Sequence, residues 1–310
     1  MPAPPVETIE IPTADGFAVR GDLYLSAEQP PSGIVVLCHG FKGYKNWGFF
    51  PYLAARLASA GIGAFSIDFS FNGTFPENRD AGDRAADTQA HASGAPRVKT
   101  RYPRPDLFRC NTLKREREDL ALVLRFVGEN GLGQRVGAGT PLGLFGHSRG
   151  GVAALMNALE NNTISALCTW AMPDDPDHFT PRQKTRWREK GDYEFADAQD
   201  GTRLSLSSGF LDDLEKNRDA YDLRRRAGEL RVPHLIVHGK ADIVVRVDRA
   251  RSLYEAEHGL RDRRMLLLAT GHALGLTASS SVVMDEPPRL LVEACDASVD
   301  WFLRYLRKGV

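Results

Sequence analysis

Cysteine is scarce in this chain. There are four, Cys38, Cys110, Cys168 and Cys295, and no two form a C-x-x-C pair. That scatter excludes a zinc knuckle and a disulfide framework. Cys38 and Cys168 lie inside apolar runs and read as small core residues. Long apolar runs are missing as well: none approaches the roughly 18 residues needed to span a bilayer. Charge of one sign is not in excess, with Lys plus Arg at 40 and Asp plus Glu at 40. A dedicated nucleic-acid domain is usually basic, and a membrane-surface protein carries polybasic clusters. Neither a nucleic acid nor a membrane is therefore expected as a partner. The segment Met1-Pro-Ala-Pro-Pro-Val-Glu7 has no basic stretch followed by an apolar one, so no secretory signal is read. A cytoplasmic location follows as the expectation. No internal repeat of solenoid or propeller length is present. A homo-oligomer is compatible with this composition.

What is present is enough apolar material for a core. The 310 residues are 42% hydrophobic and 26% charged, which suits one large domain rather than a disordered tail. Residues 6–25 alternate around Ala14-Asp15-Gly16 as a β-hairpin. Ile34–Cys38 and Ile62–Ile67 are continuous apolar runs, the pattern of strands buried on both faces. Between them Phe50, Leu53, Ala54 and Leu57 form a helical stripe. The alternation continues with a helix marked by Leu113, Leu120, Val123, Leu124 and Val127, a strand at Pro141–Phe145, a helix marked by Val152, Leu155, Met156 and Leu159, and a strand at Ile164–Met172. After a break come the strands His234–Val237 and Met265–Leu268, and helices at Val247–Ala256 and near the C-terminus. Such alternation predicts an α/β fold, a mostly parallel sheet with helices on both faces.

Two segments break the rhythm. Residues 72–106 are rich in Asn, Asp, Gly, Ala and Pro and read as a long polar loop insertion. Residues 173–231 are highly charged, with Trp187, Tyr193, Phe195, Phe210 and Leu211 as apolar anchors. Asp200-Gly201 between two alternating runs suggests a small hairpin there. The five basic residues of Arg182–Lys190 read as a solvated helix face. About 60 residues is short for an independent domain. The expected division is a core of 1–172 and 232–310, with 173–231 inserted as a cap whose aromatics line a pocket.

Gly146-His147-Ser148-Arg149-Gly150 matches G-x-S-x-G between a strand and a helix. A strand that turns sharply into a helix exposes Ser148 at its tip, and small residues on either side let the two arms approach. A serine hydroxyl attacks a carbonyl only with a base and an orienting acid beside it. The oxyanion formed needs two preorganised N–H donors. Arg149 N–H, first in the helix, is one candidate. Phe41 N–H, in His39-Gly40-Phe41-Lys42-Gly43 after the first buried strand, is the other. His272 and Asp242 follow the last two strands, on the sheet edge where α/β folds build their sites. They are the candidate base and acid. Asp174, Asp175 and Asp177 compete for the acid role, with Asp68 and Asp248 less well placed.

Together these residues resemble the α/β-hydrolase superfamily over nearly the whole chain outside 72–106 and 173–231. His39-Gly-Phe-Lys-Gly-Tyr-Lys-Asn-Trp-Gly48 and Val237-His-Gly-Lys-Ala-Asp242, paired with Gly271-His272-Ala-Leu-Gly275, are similar to bacterial serine hydrolases. The relatives are the dienelactone hydrolase, cinnamoyl esterase and serine aminopeptidase groups. The resemblance implies a triad of Ser148, Asp242 and His272, an oxyanion hole at Phe41 and Arg149, and no metal or organic cofactor. Dienelactone hydrolases proper use a cysteine nucleophile, so serine here is a departure. The expected activity is hydrolysis of a small-molecule carboxylic ester. An aminopeptidase or acyl-peptide hydrolase is the enzymatic alternative, and a ligand-binding protein on a hydrolase scaffold the non-enzymatic one. Dehalogenase and epoxide-hydrolase chemistry need a carboxylate nucleophile, which Ser148 is not.

Overall fold

The structure is a computed structural model that describes residues 6–74, 103–129, 131–133, 136–137, 139–196, 203–276 and 287–306. Most of the 72–106 insertion, and the Asp200-Gly201 turn, lie outside these residues. Ten strands are described: β1 Val6–Pro12, β2 Ala18–Tyr24, β3 Ile34–Cys38, β4 Gly63–Asp68, β5 Leu142–His147, β6 Ile164–Trp170, β7 Asp192–Ala196, β8 Arg203–Ser207, β9 His234–Gly239 and β10 Arg263–Leu268. The described helices are α1 Phe50–Ser59, α2 Pro105–Arg109, α3 Leu113–Gly128, α4 Arg149–Glu160, α5 Pro181–Lys190, α6 Gly209–Lys216, α7 Leu223–Ala227, α8 Val247–Ala256 and α9 Arg289–Tyr305.

Eight strands form one sheet in the order β1-β2-β4-β3-β5-β6-β9-β10. The β1–β2 and β2–β4 pairs are antiparallel, and the pairs from β4 to β10 are parallel. Strands β3, β4, β5 and β9 are buried along their whole length. That explains their unbroken apolar runs. Several strands run further than those runs. Gly146 pairs with Cys38 and His147 with Trp170, because the backbone ladder continues where the side chains turn polar.

Helices α1 and α9 cover one face, burying Phe49, Phe50, Leu53, Leu291 and Phe302 against Phe145 and Trp170. Helices α3, α4 and α8 cover the other through Leu120, Val123, Leu124, Leu155 and Leu253. Each large apolar side chain fully buried this way contributes about 1.5–3 kcal/mol. Among the described residues no helix is long and apolar enough to cross a membrane.

The register aligns Cys38 with Gly146, His147 with Trp170, Trp170 with Val237 and Gly239 with Leu268. The segments that leave these strand ends carry His39, Ser148, Asp242 and His272, so all four emerge at one edge of the sheet.

Elements α5 to α7 and the β7–β8 hairpin lie between β6 and β9 in the chain. Thr180 caps α5 through a reciprocal bond set with Gln183, and Trp187 is the buried residue on that helix. Trp187 is enclosed by Phe179, Tyr193 and Phe210 and donates to Leu206 O at 2.9 Å. The segment is fastened to the α3 side of the sheet. Asp213 Oδ2 accepts the Lys114 amide at 3.0 Å, beside the start of α3. The Tyr221 hydroxyl donates to Asp213 Oδ1 at 2.9 Å.

A buried polar clamp ties β6, β9 and α8 together. His234 Nδ1–H donates to Glu257 Oε1 at 2.6 Å, and Thr169 Oγ1 meets His234 Nε2 at 2.8 Å. Both partners are fully buried. Removing one member strands the other, which typically costs about 3–5 kcal/mol. Glu257→Ala should lower the free energy of unfolding by that amount in urea titrations. An unshifted midpoint would show that the clamp carries no stability.

Candidate active site

Ser148 sits at the turn from β5 into α4 with φ 53° and ψ −125°. This is a backbone region that costs about 1–3 kcal/mol and persists only when its surroundings hold it. The surroundings are visible. Ser148 N–H donates to Trp170 O at 2.8 Å. A Cβ on Gly150 would lie 2.3 Å from His39 O and 2.4 Å from Cys38 O, and one on Gly146 would lie 2.5 Å from Gly150 O. Glycine at both positions is therefore a spatial requirement.

His272 and Asp242 meet. His272 Nδ1–H donates to Asp242 Oδ2 at 2.7 Å. Asp242 Oδ1 accepts the amides of Val244 and Val245, each at 2.9 Å. Burial alone would raise this carboxyl's pKa, but the His272 bond and charge and the two amides outweigh it and hold the group below its ordinary range. With the ring proton on Nδ1, Nε2 keeps a free lone pair, the tautomer a general base needs.

The competing carboxylates are engaged elsewhere. Asp174 is shared by Arg224 at 2.8 Å and Arg249 at 3.1 Å. Asp175 accepts the Asp177 amide at 2.8 Å, and Asp177 pairs with Lys184. Asp68 accepts the Lys45 amide at 2.8 Å, and Asp248 pairs with Arg246 at 3.0 Å.

The Ser148 end of the arrangement is open: among the described residues no hydrogen bond joins Ser148 Oγ to His272. Bonds of this kind often close only when substrate is bound. His147, the residue before Ser148, bridges the two instead. Its Nε2–H donates to His272 O at 3.1 Å. The His147 ring is stacked on Trp47, with centroids 5.4 Å apart and planes 19° from parallel. His238 Nε2–H donates to Val245 O at 2.8 Å and so fixes the turn whose amides hold Asp242.

The Phe41 and Arg149 amides, the two expected oxyanion donors, have no hydrogen-bond partner among the described residues. Arg149 N–H is the first of the helix, where no intrahelical acceptor exists. The Phe41 turn abuts the elbow: the absent Cβ of Gly40 would lie 3.0 Å from Ser148 Cβ.

A cavity of about 260 Å³ contains Ser148. Phe41, Val152, Phe179, Phe195, Leu206, Phe210 and Val244 make its apolar wall, and Arg149 and His178 are among its polar lining residues. Phe195 and Phe210 thus face the cavity. Trp187 and Leu211 do not line it, because they fill the interior of the 173–231 segment.

Two lining features were not singled out in the sequence. His178 stacks on Phe179 with centroids 4.4 Å apart, and burial lowers its pKa. The Arg149 guanidinium lies over Phe41 at 5.1 Å and Phe210 at 4.9 Å. It is held by Glu116, with Nε donating to Oε2 at 2.9 Å. Its Nη2 is 2.8 Å from Oε1, but the geometry there is too poor for a second hydrogen bond, so the pair is a one-bond ion pair. Only packing brings α3 and α4 together to form it. Among the described residues no cluster of three His, Cys, Asp or Glu side chains is arranged to hold a metal ion.

Residues 35–308 match the pattern of the Alpha/beta hydrolase family, and the chain belongs to that family. Solved structures share the fold at low identity. A dienelactone hydrolase from Anabaena variabilis is 18% identical with a TM-score of 0.56, covering 98% of this chain and 100% of its own. The esterase domain of a Rhodothermus marinus protein is 18% identical with a TM-score of 0.60, covering 97% and 99%. A monoacylglycerol lipase from Paleococcus ferrophilus is 16% identical with a TM-score of 0.59, covering 97% and 99%. No curated protein sequence matches the chain.

Burial brings the His147 pKa from its ordinary 6.5 down to about 3. A folded-state pKa below the unfolded one gives stability that is complete above pH 6.5 and lost as pH falls toward 3. Each such proton contributes a slope of about 1.4 kcal/mol per pH unit. His147→Gln should therefore flatten the unfolding free energy by one proton between pH 6 and 4 (~1.4 kcal/mol per unit) in urea titrations across that range. Equal slopes in variant and wild type would contradict a neutral, buried His147.

Proposed function

We propose that this protein is a serine hydrolase that cleaves carboxylic esters through an acyl-enzyme intermediate. The observation that carries the reading is the Asp242–His272 hydrogen bond, 2.7 Å long, on the sheet edge that also carries the Ser148 elbow. His272 Nε2 takes the proton of Ser148 Oγ as Oγ bonds to the ester carbonyl carbon. The carbonyl oxygen, now an oxyanion, receives the Phe41 and Arg149 amides. As the intermediate collapses, the carbon–oxygen bond to the alcohol breaks and His272 returns the proton to the departing oxygen. Water, deprotonated by the same imidazole, then releases the acyl group. Asp242 stays ionised and stabilises the imidazolium. This chemistry needs no metal or organic cofactor. The hydrolase family and the ester-cleaving names of three fold neighbours support it.

Residues 173–231 act as a cap in this reading, with Phe179, Phe195 and Phe210 giving the cavity an apolar wall. That wall favours an uncharged acyl or alcohol group over the charged amino terminus of a peptide. Asp174, the buried carboxylate nearest such a role, already serves two arginines.

Ser148→Ala should abolish ester turnover and labelling by a fluorophosphonate while the melting profile stays close to wild type. Asp242→Asn should lower kcat by several powers of ten, about 10⁴-fold, with little change in KM. More than a few per cent residual activity in Ser148→Ala would remove the assignment.

The cap reading is tested on a panel of esters from acetyl to decanoyl. Phe210→Ala opens the cavity, so kcat/KM for the longer acyl esters should rise relative to the short ones. An unchanged chain-length order in both Phe210→Ala and Phe195→Ala would show that these rings do not shape the substrate pocket.

A further inference from the structure

The fully buried His39 ring lies beneath the turn that supplies the Phe41 amide, and its hydrogen bonds fix its protonation pattern. Two donors point at Nε2: the Phe69 amide at 3.4 Å and Asn72 Nδ2 at 3.3 Å. A ring nitrogen that accepts hydrogen bonds carries no proton, so the proton of the neutral ring is on Nδ1. Asn72 is held in turn, since its Nδ2 also donates to Asp68 Oδ1 at 2.8 Å and its Oδ1 accepts from the Thr74 amide at 3.1 Å.

His39 Nδ1–H donates to Gly40 O at 2.9 Å. The same oxygen accepts the Gly43 amide at 2.9 Å, closing the turn. Gly40 C=O and Phe41 N–H belong to one planar peptide unit, in which the carbonyl and the N–H point in opposite directions. Two donors on the oxygen therefore fix the direction of the N–H. Turn closure alone is a weak constraint here, because Lys42 at its third position sits at φ 57°, a conformation disfavoured for a side chain with a Cβ.

We propose that His39 is a positioning residue for the oxyanion site. By donating from Nδ1 to Gly40 O it locks the Gly40–Phe41 peptide with its N–H turned to the developing oxyanion. The proposal rests on the serine-hydrolase reading above. It assigns His39 no contact with substrate, and its effect is exerted through the Phe41 amide.

His39→Leu removes the donor and keeps an apolar side chain. Misdirecting one oxyanion donor should lower kcat about 10²-fold, within the range for removal of such a donor. The rate of Ser148 phosphonylation should fall in parallel, and KM should stay within about twofold, since the donor acts on the transition state. His39→Asn places an amide N–H near the position of Nδ1 and should recover at least about tenfold of the loss. In the wild type, ¹⁵N NMR of the His39 ring should show a neutral imidazole protonated on Nδ1, a readout independent of whether any variant folds. A proton on Nε2 would overturn the proposal. So would wild-type phosphonylation rates in a folded His39→Leu, or an Asn variant no better than Leu. A wild type that is never labelled at Ser148 would instead overturn the hydrolase reading, and this one with it.

Discussion

The backbone of residues 146–151 passes so close to residues 38–40 that a single methyl group at position 150 would sit 2.3 Å from a carbonyl oxygen. The rest of the site is arranged around this crossing. It brings the β5–α4 elbow against the loop after β3, and so brings Ser148 beside the turn that carries the Phe41 amide. The crossing holds because β3 and β5 are paired in parallel register up to Cys38 and Gly146. Their loops leave the ladder at the same level, and strain at Ser148 is sustained by the ladder on either side. The Asp242–His272 pair arrives at that level by the same logic, through β9 and β10.

Those features are legible in the sequence because each is local. Gly146-x-Ser148-x-Gly150 encodes the crossing in five residues, and apolar runs followed by Gly, Asp or His mark strands that end at an edge. The structure joins Asp242 to His272 directly, while Asp174, Asp175, Asp177, Asp68 and Asp248 are bound to arginine, lysine or backbone amides. What could not be read is what depends on packing between distant segments. Nothing in the charged stretch around Glu116 announces that it will hold Arg149, since α3 must first lie against α4. His178 looks like one polar residue among several until the fold stacks it on Phe179 at the edge of the cavity, where part of it stays exposed. Trp187 carried the strongest apolar signal in 173–231 and for that reason went to the interior of that segment, leaving the smaller Phe195 and Phe210 at the cavity.

Charge in the insertion follows a consistent rule. Its buried carboxylates each serve as anchors: Asp213 for the start of α3 and for Tyr221, Asp174 for Arg224 and Arg249. A buried carboxylate left without its donors costs several kcal/mol. These anchors therefore specify one docking geometry for a segment whose burial is supplied by Trp187, Leu206, Phe210, Leu211 and Leu214. Lys42 adds a further tie, donating from Nζ to Ala196 O at 2.9 Å, so the Phe41 turn and the β7–β8 hairpin are held to one another.

The histidines at this edge divide by environment. Burial lowers the pKa of His39 to about 4 and of His147 to about 3, and also pushes that of His238 down. All three are therefore neutral near pH 7, with ring protons committed to Gly40 O, His272 O and Val245 O. Each fixes a backbone segment: His39 the turn after β3, His147 the His272 loop and His238 the turn around Val245. His272 differs in two respects: its side chain is 19% exposed, and the fully buried Asp242 carboxylate lies against its Nδ1. A positive charge developing on that ring meets a counter-charge 2.7 Å away, whereas on His238, 3.4 Å from the same Asp242 oxygen, and on His39, 3.8 Å from Asp68, the cost of burial outweighs the nearby carboxylate, as it does on His147. In the proposed reaction one imidazole must gain and lose a proton in each half-cycle while its neighbours stay fixed. The packing of this edge separates the four rings into one suited to that change and three that resist it.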